Sequence, residues 1–308
     1  MPYESEIPQS FRTTYRDSVE FLLQQGDSKL LPCIMDMDGS GELHKITDQL
    51  EDVDPMVKTG RNANTEYVEV GHDGRWVAQP NPIYFSTLVD KQDQLASGID
   101  LTGNYAKAGA RSIARGTDDI ILGAFYGQAQ TGLKGTVMKG FDSGNVVPVD
   151  QGGTGNTNLT ITKLRAAWEI LAANFVDLDS EEFWMAVTAS QAAALMSELQ
   201  HNSTDFGATG AEMRDGKLRK LYGFNFVHIE LGNPRFKNAG LTVDSNNYRK
   251  VPFWAKSGMA AVFWDRLYTS IDRLPGKHYS AQVYASRDVA ATRLEEGKCG
   301  YILCNEGP

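Results

Sequence analysis

Asp36, Asp38, Ser40 and Gly41 stand at the spacing of the front half of a calcium-binding loop. That loop takes oxygen ligands at its first, third and fifth positions, glycine at the sixth and a bidentate glutamate at the twelfth. The twelfth position here is Thr47, whose single hydroxyl cannot replace a carboxylate. The flanks read as strands, whereas the motif needs helices. Asp36 and Asp38 are therefore weak metal candidates, and the stretch is expected to be a strand–turn–strand with Asp and Gly serving turn geometry.

Other motifs are also incomplete. Gly26-Asp27-Ser28-Lys29-Leu30 resembles a serine-hydrolase signature, but its base would need an Asp three residues before a C-terminal His, and Pro275 precedes His278 at that spacing. A helix stop and turn is the stronger expectation, with a hydrolase using Ser28 as the alternative. Gln151–Asn158 is glycine-rich, yet it lacks the lysine of a phosphate loop, so a mobile loop is expected. His44, His72, His201, His228 and His278 show no ligand spacing, and His228 in an apolar run reads as a satisfied core residue. No catalytic set, cofactor site or intact metal site emerges.

The bulk composition agrees. The chain has 308 residues, 41% hydrophobic and 22% charged, with a net charge of −9. That length can bury a sizeable core, and the acidic balance disfavours tight nucleic-acid binding. Cys33, Cys299 and Cys304 form no disulfide framework and fit a reducing compartment. Neither a signal peptide nor an apolar run long enough to span a membrane is visible.

The elements that must position these residues read as a mixture of helices and strands without βαβ rhythm, which predicts an α+β fold. Phe11, Tyr15, Val19 and Leu23 recur every four residues and predict an amphipathic helix. Thr65–Val70 and Arg75–Val77 flank His72-Asp73-Gly74 and predict a hairpin, too mixed on both faces to form a core wall, that extends from the body. Residues 100–128 predict a long helix. Its recurring Gly103, Gly109, Gly116, Gly123 and Gly127 imply either close approach by another backbone or a break. Ile161–Val176 predicts a helix with Leu164, Trp168 and Leu171 on one side. Strands are expected at Leu30–Met35, Phe183–Thr188, Leu221–Leu231, Ser257–Ile271, Tyr279–Thr292 and Gly297–Cys304, and a helix at Ser190–Gln200.

This order of segments resembles the major capsid proteins of tailed bacteriophages, whose shell fold is shared with herpesvirus capsids and encapsulins. Gly74–Leu95, Gly116–Gly135 and Ile271–Glu306 carry the likeness: they are similar to the return of the extended hairpin, the end of the long helix with its exit loop, and the C-terminal region. The resemblance implies an N-terminal arm over 1–32 and a peripheral domain over 33–128. Within the latter fall an extended loop near 45–90 and a spine helix near 100–128. An axial domain over 129–275 and a return to the peripheral/axial sheet over 276–308 complete the division.

The resemblance further implies pentamers and hexamers in an icosahedral head around double-stranded DNA, without sequence-specific binding, membrane or catalysis. A separate scaffolding protein and a portal would be partners. The protein would reside in the virion after assembly in the host cytoplasm. Phe11, Tyr15, Val19, Tyr67, Arg75 and Trp76 are the candidate inter-subunit contacts. Lys58 lies where some relatives cross-link covalently, but no partner is identifiable, so it reads as a solvated lysine. An encapsulin-like compartment is the alternative within the same fold.

Overall fold

The computed structural model of the chain describes residues 26–307, apart from 52, 62–63, 66, 91, 93–100, 153–154, 202–211, 215–216 and 230–242. Phe11, Tyr15 and Val19 lie outside the described residues. The strands run in chain order as β1 (Met35–Asp38), β2 (Leu43–Leu50), β3 (His72–Ala78), β4 (Ile83–Val89), β5 (Ala129–Thr131), β6 (Val137–Lys139), β7 (Val146–Val147) and β8 (Phe183–Val187). Then come β9 (Glu212–Arg214), β10 (Lys217–Leu221), β11 (Phe224–His228), β12 (Tyr248–Ala255), β13 (Met259–Leu274), β14 (Ser280–Arg293) and β15 (Cys299–Asn305). The helices are α1 (Leu101–Tyr126), α2 (Ile161–Ala173) and α3 (Ala189–His201). The architecture is a mixed α and β fold.

The strands form three sheets, ordered β7-β15-β12-β8-β11-β10-β9, β1-β13-β14-β4 and β2-β3-β5-β6. Side chains alternate across a strand, so a strand covered on both faces reads as a continuous apolar run. β8, Phe-Trp-Met-Ala-Val, is such a strand. Phe183, Met185 and Val187 enter a core with Leu164, Leu171 and Leu195 of α2 and α3. Ala186 enters a second core with Ile121, Leu122 and Phe125 of α1. The second core also takes Met259, Ala261 and Phe263 of β13, so α1 joins the seven-stranded sheet to the β1-β13-β14-β4 sheet.

α1 is continuous through its glycines. A Cβ at Gly109 would lie 2.6 Å from the Phe85 ring, and one at Gly116 would lie 3.2 Å from Ile83. The close approach comes from β4 side chains, and the packing they permit outweighs the roughly 1 kcal/mol that an interior glycine costs.

Several sequence expectations are corrected. Asp36 and Asp38 lie in β1, paired parallel with Ala261 and Phe263 of β13, and not in a turn. The positive-φ turn comes later, at Gly41. The expected strand over Leu30–Met35 is instead a 3-10 turn at Leu31–Cys33 that leads into β1. The extended hairpin pairs β2 with β3, with Asp48 opposite Gly74. Asp73-Gly74 therefore sits inside a strand, and residues 51–71 form the connection. The run over Leu221–Leu231 doubles back at Tyr222-Gly223, both at positive φ, as in a type I′ turn.

Trp168 is 43% exposed, because the buried stripe of α2 centres on Leu164, Ala167 and Leu171 and leaves Trp168 at its edge. The boundary expected at 275/276 falls within a continuous β13–β14 hairpin, paired from Met259–Arg293 to Leu274–Ser280. β5 and β6, expected in the axial part, join the sheet of the extended hairpin.

Candidate interaction surfaces

Asp36, Asp38, Ser28 and His228, which suggested chemistry, have structural partners. Arg266 donates from Nη1 to Asp36 Oδ2 at 2.8 Å, from Nη2 to Asp36 Oδ1 at 3.0 Å and from Nε to Asp38 Oδ1 at 3.0 Å. A guanidinium thus stands where the calcium motif would place a cation, and it ties β1 to β13. No cluster of three or more His, Cys, Asp or Glu suited to a metal occurs among the described residues.

Ser28 is an anchor. Its Oγ donates to Asp118 Oδ1 at 2.5 Å, and Asp118 also accepts from the backbone N–H groups of Lys29 and Leu30 at 3.1 and 3.2 Å. Asp118 is fully buried on α1, so these bonds fix the entry of the chain onto the long helix. Near Gln151–Asn158, Gly152 and Gly155 take positive φ, and Asn156 donates to Tyr248 Oη at 2.6 Å. His228 has its Nε2 3.4 Å from the Leu218 carbonyl, and its own carbonyl accepts from Lys29 at 2.6 Å. The cysteines are buried thiols. Burial, with the Asp118 charge second, pushes Cys33 up to about 12. Burial likewise takes Cys304 to about 12.

Two of the predicted contact residues are used inside the protomer. Arg75 is 3% exposed. Its Nε donates to Gln49 Oε1 at 3.2 Å, and its Nη1 forms an ion pair with Glu296 Oε1 at 3.6 Å. Glu296 is shared with Arg293, whose Nε donates to it at 2.8 Å. Arg293 is fully buried and donates to the carbonyls of Ala124 at 3.2 Å, of Phe125, and of Gly127 at 2.7 Å. Those carbonyls end α1, where a cation satisfies both the orphan acceptors and the helix dipole. One charged node therefore joins the base of the extended hairpin to the end of the long helix. Trp76 folds inward too: its indole N–H donates to the Gly132 carbonyl at 2.7 Å, and Gly135 at positive φ lets the β5–β6 turn lie against the ring.

Other large apolar residues face solvent. In the connection 51–71, Val57 is 85% and Tyr67 89% exposed, and Lys58 beside them is exposed as well. The β1-β13-β14-β4 sheet turns Ile83, Phe85 and Val89 toward α1 and leaves Tyr84 and Leu88 outward. Tyr84 stacks on Tyr284 at 6.1 Å between ring centroids, and Tyr268 meets Tyr284 edge-on at 6.2 Å. The three tyrosines cross β4, β14 and β13 on one face. Sequence reasoning missed them because a ladder across three strands depends on register, which pairs Ser86 with Tyr284 and Tyr284 with Ser270.

A third surface surrounds α2. The helix ends in a Schellman motif: Phe175 N–H donates to the Ala172 carbonyl at 3.1 Å, and Val176 N–H to the Leu171 carbonyl at 3.2 Å. The left-handed position, usually glycine, is Phe175 at φ 56. A side chain there costs about 1–2 kcal/mol, and Phe175 is 98% exposed. Nearby, Arg165, Trp168, Glu169, Tyr222 and Gly223 line a cleft of about 670 Å³. The aromatic directly after a helix end was the readable signal for this surface, and it went unread.

A family model described as phage capsid protein matches residues 7–306. No curated protein matches the sequence. Among similar solved structures, the capsid of cyanophage P-SCSP1u has a TM-score of 0.70 at 12% identity, covering 96% of this chain and 93% of that one. The capsid of Ralstonia phage GP4 has a TM-score of 0.71 at 8% identity, covering 100% and 99%. An encapsulin complex from Synechococcus elongatus reaches 0.61 at 10% identity, covering 93% and 91%. That last likeness is one of fold, whereas the family match spans nearly the whole sequence and names phage capsids. The family match covers nearly the whole chain, and this chain belongs to the phage capsid protein family as a structural major capsid protein.

Proposed function

We propose that the protein assembles as pentamers and hexamers into an icosahedral phage head enclosing double-stranded DNA. The carrying observation is the amount of apolar surface the protomer leaves uncovered in extended elements, from Val57 and Tyr67 to the tyrosine ladder. Contiguous apolar surface of this kind marks an interaction site, and obligate interfaces bury roughly 2,000–5,000 Å² or more. Tyr67 and the segment with Phe11, Tyr15 and Val19 remain the contact candidates. In this reading the sheet packed on α1 is the peripheral part, the seven-stranded sheet with α2 and α3 is the axial part, and β2–β3 with 51–71 is the extended loop.

The net charge of −9 suits a wall that encloses DNA without gripping it. Scaffolding and portal proteins are the further partners, the virion is the destination and the host cytoplasm the place of assembly. The role is non-catalytic: the anchoring of Ser28 by Asp118 and the raised thiols of Cys33 and Cys304 support this.

Electron microscopy of the protein expressed with and without a scaffold tests the proposal. Closed shells are expected, and a discrete monomer under every condition tried would overturn it. Deleting residues 1–25 is expected to block assembly while circular dichroism shows a folded body.

A further inference from the structure

We infer that neighbouring copies join head to tail at the axial part, with Phe175 of one copy seated in the cleft between Trp168 and Tyr222 of the next. The inference rests on the shell reading and names one contact within it. Phe175 is the knob. It is almost wholly exposed and is fixed in place by both backbone hydrogen bonds of the Schellman motif, so little freedom remains to be lost on docking. The cleft is the hole. Its volume of about 670 Å³ is open to solvent-facing aromatics from α2 and from the β10–β11 turn. Tyr222 is held at φ 48 there, a second aromatic in a conformation that side chains avoid.

The charges around knob and hole are complementary. Phe175 is followed by exposed Asp177 and Asp179, and Asp177 is fixed by Ser180 Oγ at 2.5 Å and the Asp179 N–H at 3.1 Å. The cleft carries exposed Arg165, with exposed Arg219 and Lys220 on the β10 arm of its turn, while Glu169 lies one helical turn from Arg165. An acidic rim around an aromatic knob and a largely basic rim around an aromatic cleft are the parts of a heterologous contact. Because knob and cleft are different patches of one chain, such a contact repeats head to tail, and in a pentamer or hexamer its rotation closes a ring.

Hydroxyl-radical footprinting of the unaltered protein tests this. Oxidation of Phe175 and Trp168 is expected to fall about tenfold from free subunits to shells, as for a desolvated hot spot. Equal oxidation in the two states would overturn the contact. Cysteine pairing then identifies the occupant, since the three native thiols are buried. The double variant Phe175→Cys with Trp168→Cys, treated with a short bis-maleimide, is expected to give a ladder ending at the ring size, and each single variant none. Dimers from Phe175→Cys alone, or no ladder from wild-type-like shells of the double variant, would refute the head-to-tail contact. If the wild type forms no shell at all, the shell reading fails first, and the two failures stay distinguishable.

Discussion

The seven-stranded sheet and the sheet β1-β13-β14-β4 are built from similar residues but meet their surroundings differently. The first has α2 and α3 on one face and α1 on the other, and its central strand β8 is buried along most of its length. The second shares α1 and leaves Tyr84, Leu88 and Tyr268 outward. Completing a core within the chain stabilises the protomer. Leaving an apolar face open commits that stability to a contact with another molecule. The aromatic side chains of the two sheets should therefore differ in what their loss disrupts, folding in one case and association in the other.

Substitutions in the two sheets test this difference. The largest effect is expected at the node beneath the extended loop. Arg293→Ala leaves the last carbonyls of α1 buried without their donor and Glu296 with only the longer ion pair to Arg75, which should cost about 3–5 kcal/mol in urea unfolding of dissociated subunits. Phe224→Ala, in the doubly covered sheet, should cost a similar amount, about 3–5 kcal/mol, and lower the yield of folded protein. Tyr284→Ala, in the open sheet, should cost the subunit only about 0.5–1.5 kcal/mol while sharply reducing shell formation by light scattering. Equal subunit destabilisation by the two aromatic variants would erase the distinction between the sheets.

The smallest effect sharpens it at the chain's end. Burial raises the Glu306 carboxyl, but hydrogen bonds from Arg249, Gln191 and Thr188 more than offset this and hold it below the ordinary carboxylate range. Arg249 Nε donates to it at 2.6 Å. A carboxyl depressed by folding adds stability that is complete above the unfolded value and is lost as pH falls through the folded one. Thermal midpoints should therefore fall with acidification below the usual carboxylate range, and Glu306→Gln should flatten that slope while lowering the midpoint at neutral pH. An unchanged slope in the variant would remove Glu306 from the account.

Much of the fold was legible because its signals are local. Apolar spacing placed α2 and α3, the Pro275-Gly276 joint separated β13 from β14, and the length of the glycine-bearing run placed α1. The glycines needed β4 to explain them: Phe85 and Ile83 occupy the space a Cβ would take. The interaction surfaces were less legible. Tyr67 is exposed and remains a candidate. Arg75 and Trp76 look like exposed hairpin residues from their neighbours, yet Glu296 and Gly132, more than fifty positions away, draw them inward. Asp36 and Asp38 look like cation ligands until Arg266, over two hundred residues later, supplies the cation.

The order of residues alone carries the α+β class, the acidic balance and a succession of segments that resembles a shell protein. The class and the balance follow from periodicity and composition, which require no knowledge of distant contacts. Which aromatics are core and which are surface follows from the folded arrangement. That assignment depends on strand register and on how far α1 and α2 cover each sheet. A one-residue change of register reverses every side chain of a strand, so the face on which Tyr84, Tyr268 and Tyr284 meet exists only once three distant strands have paired.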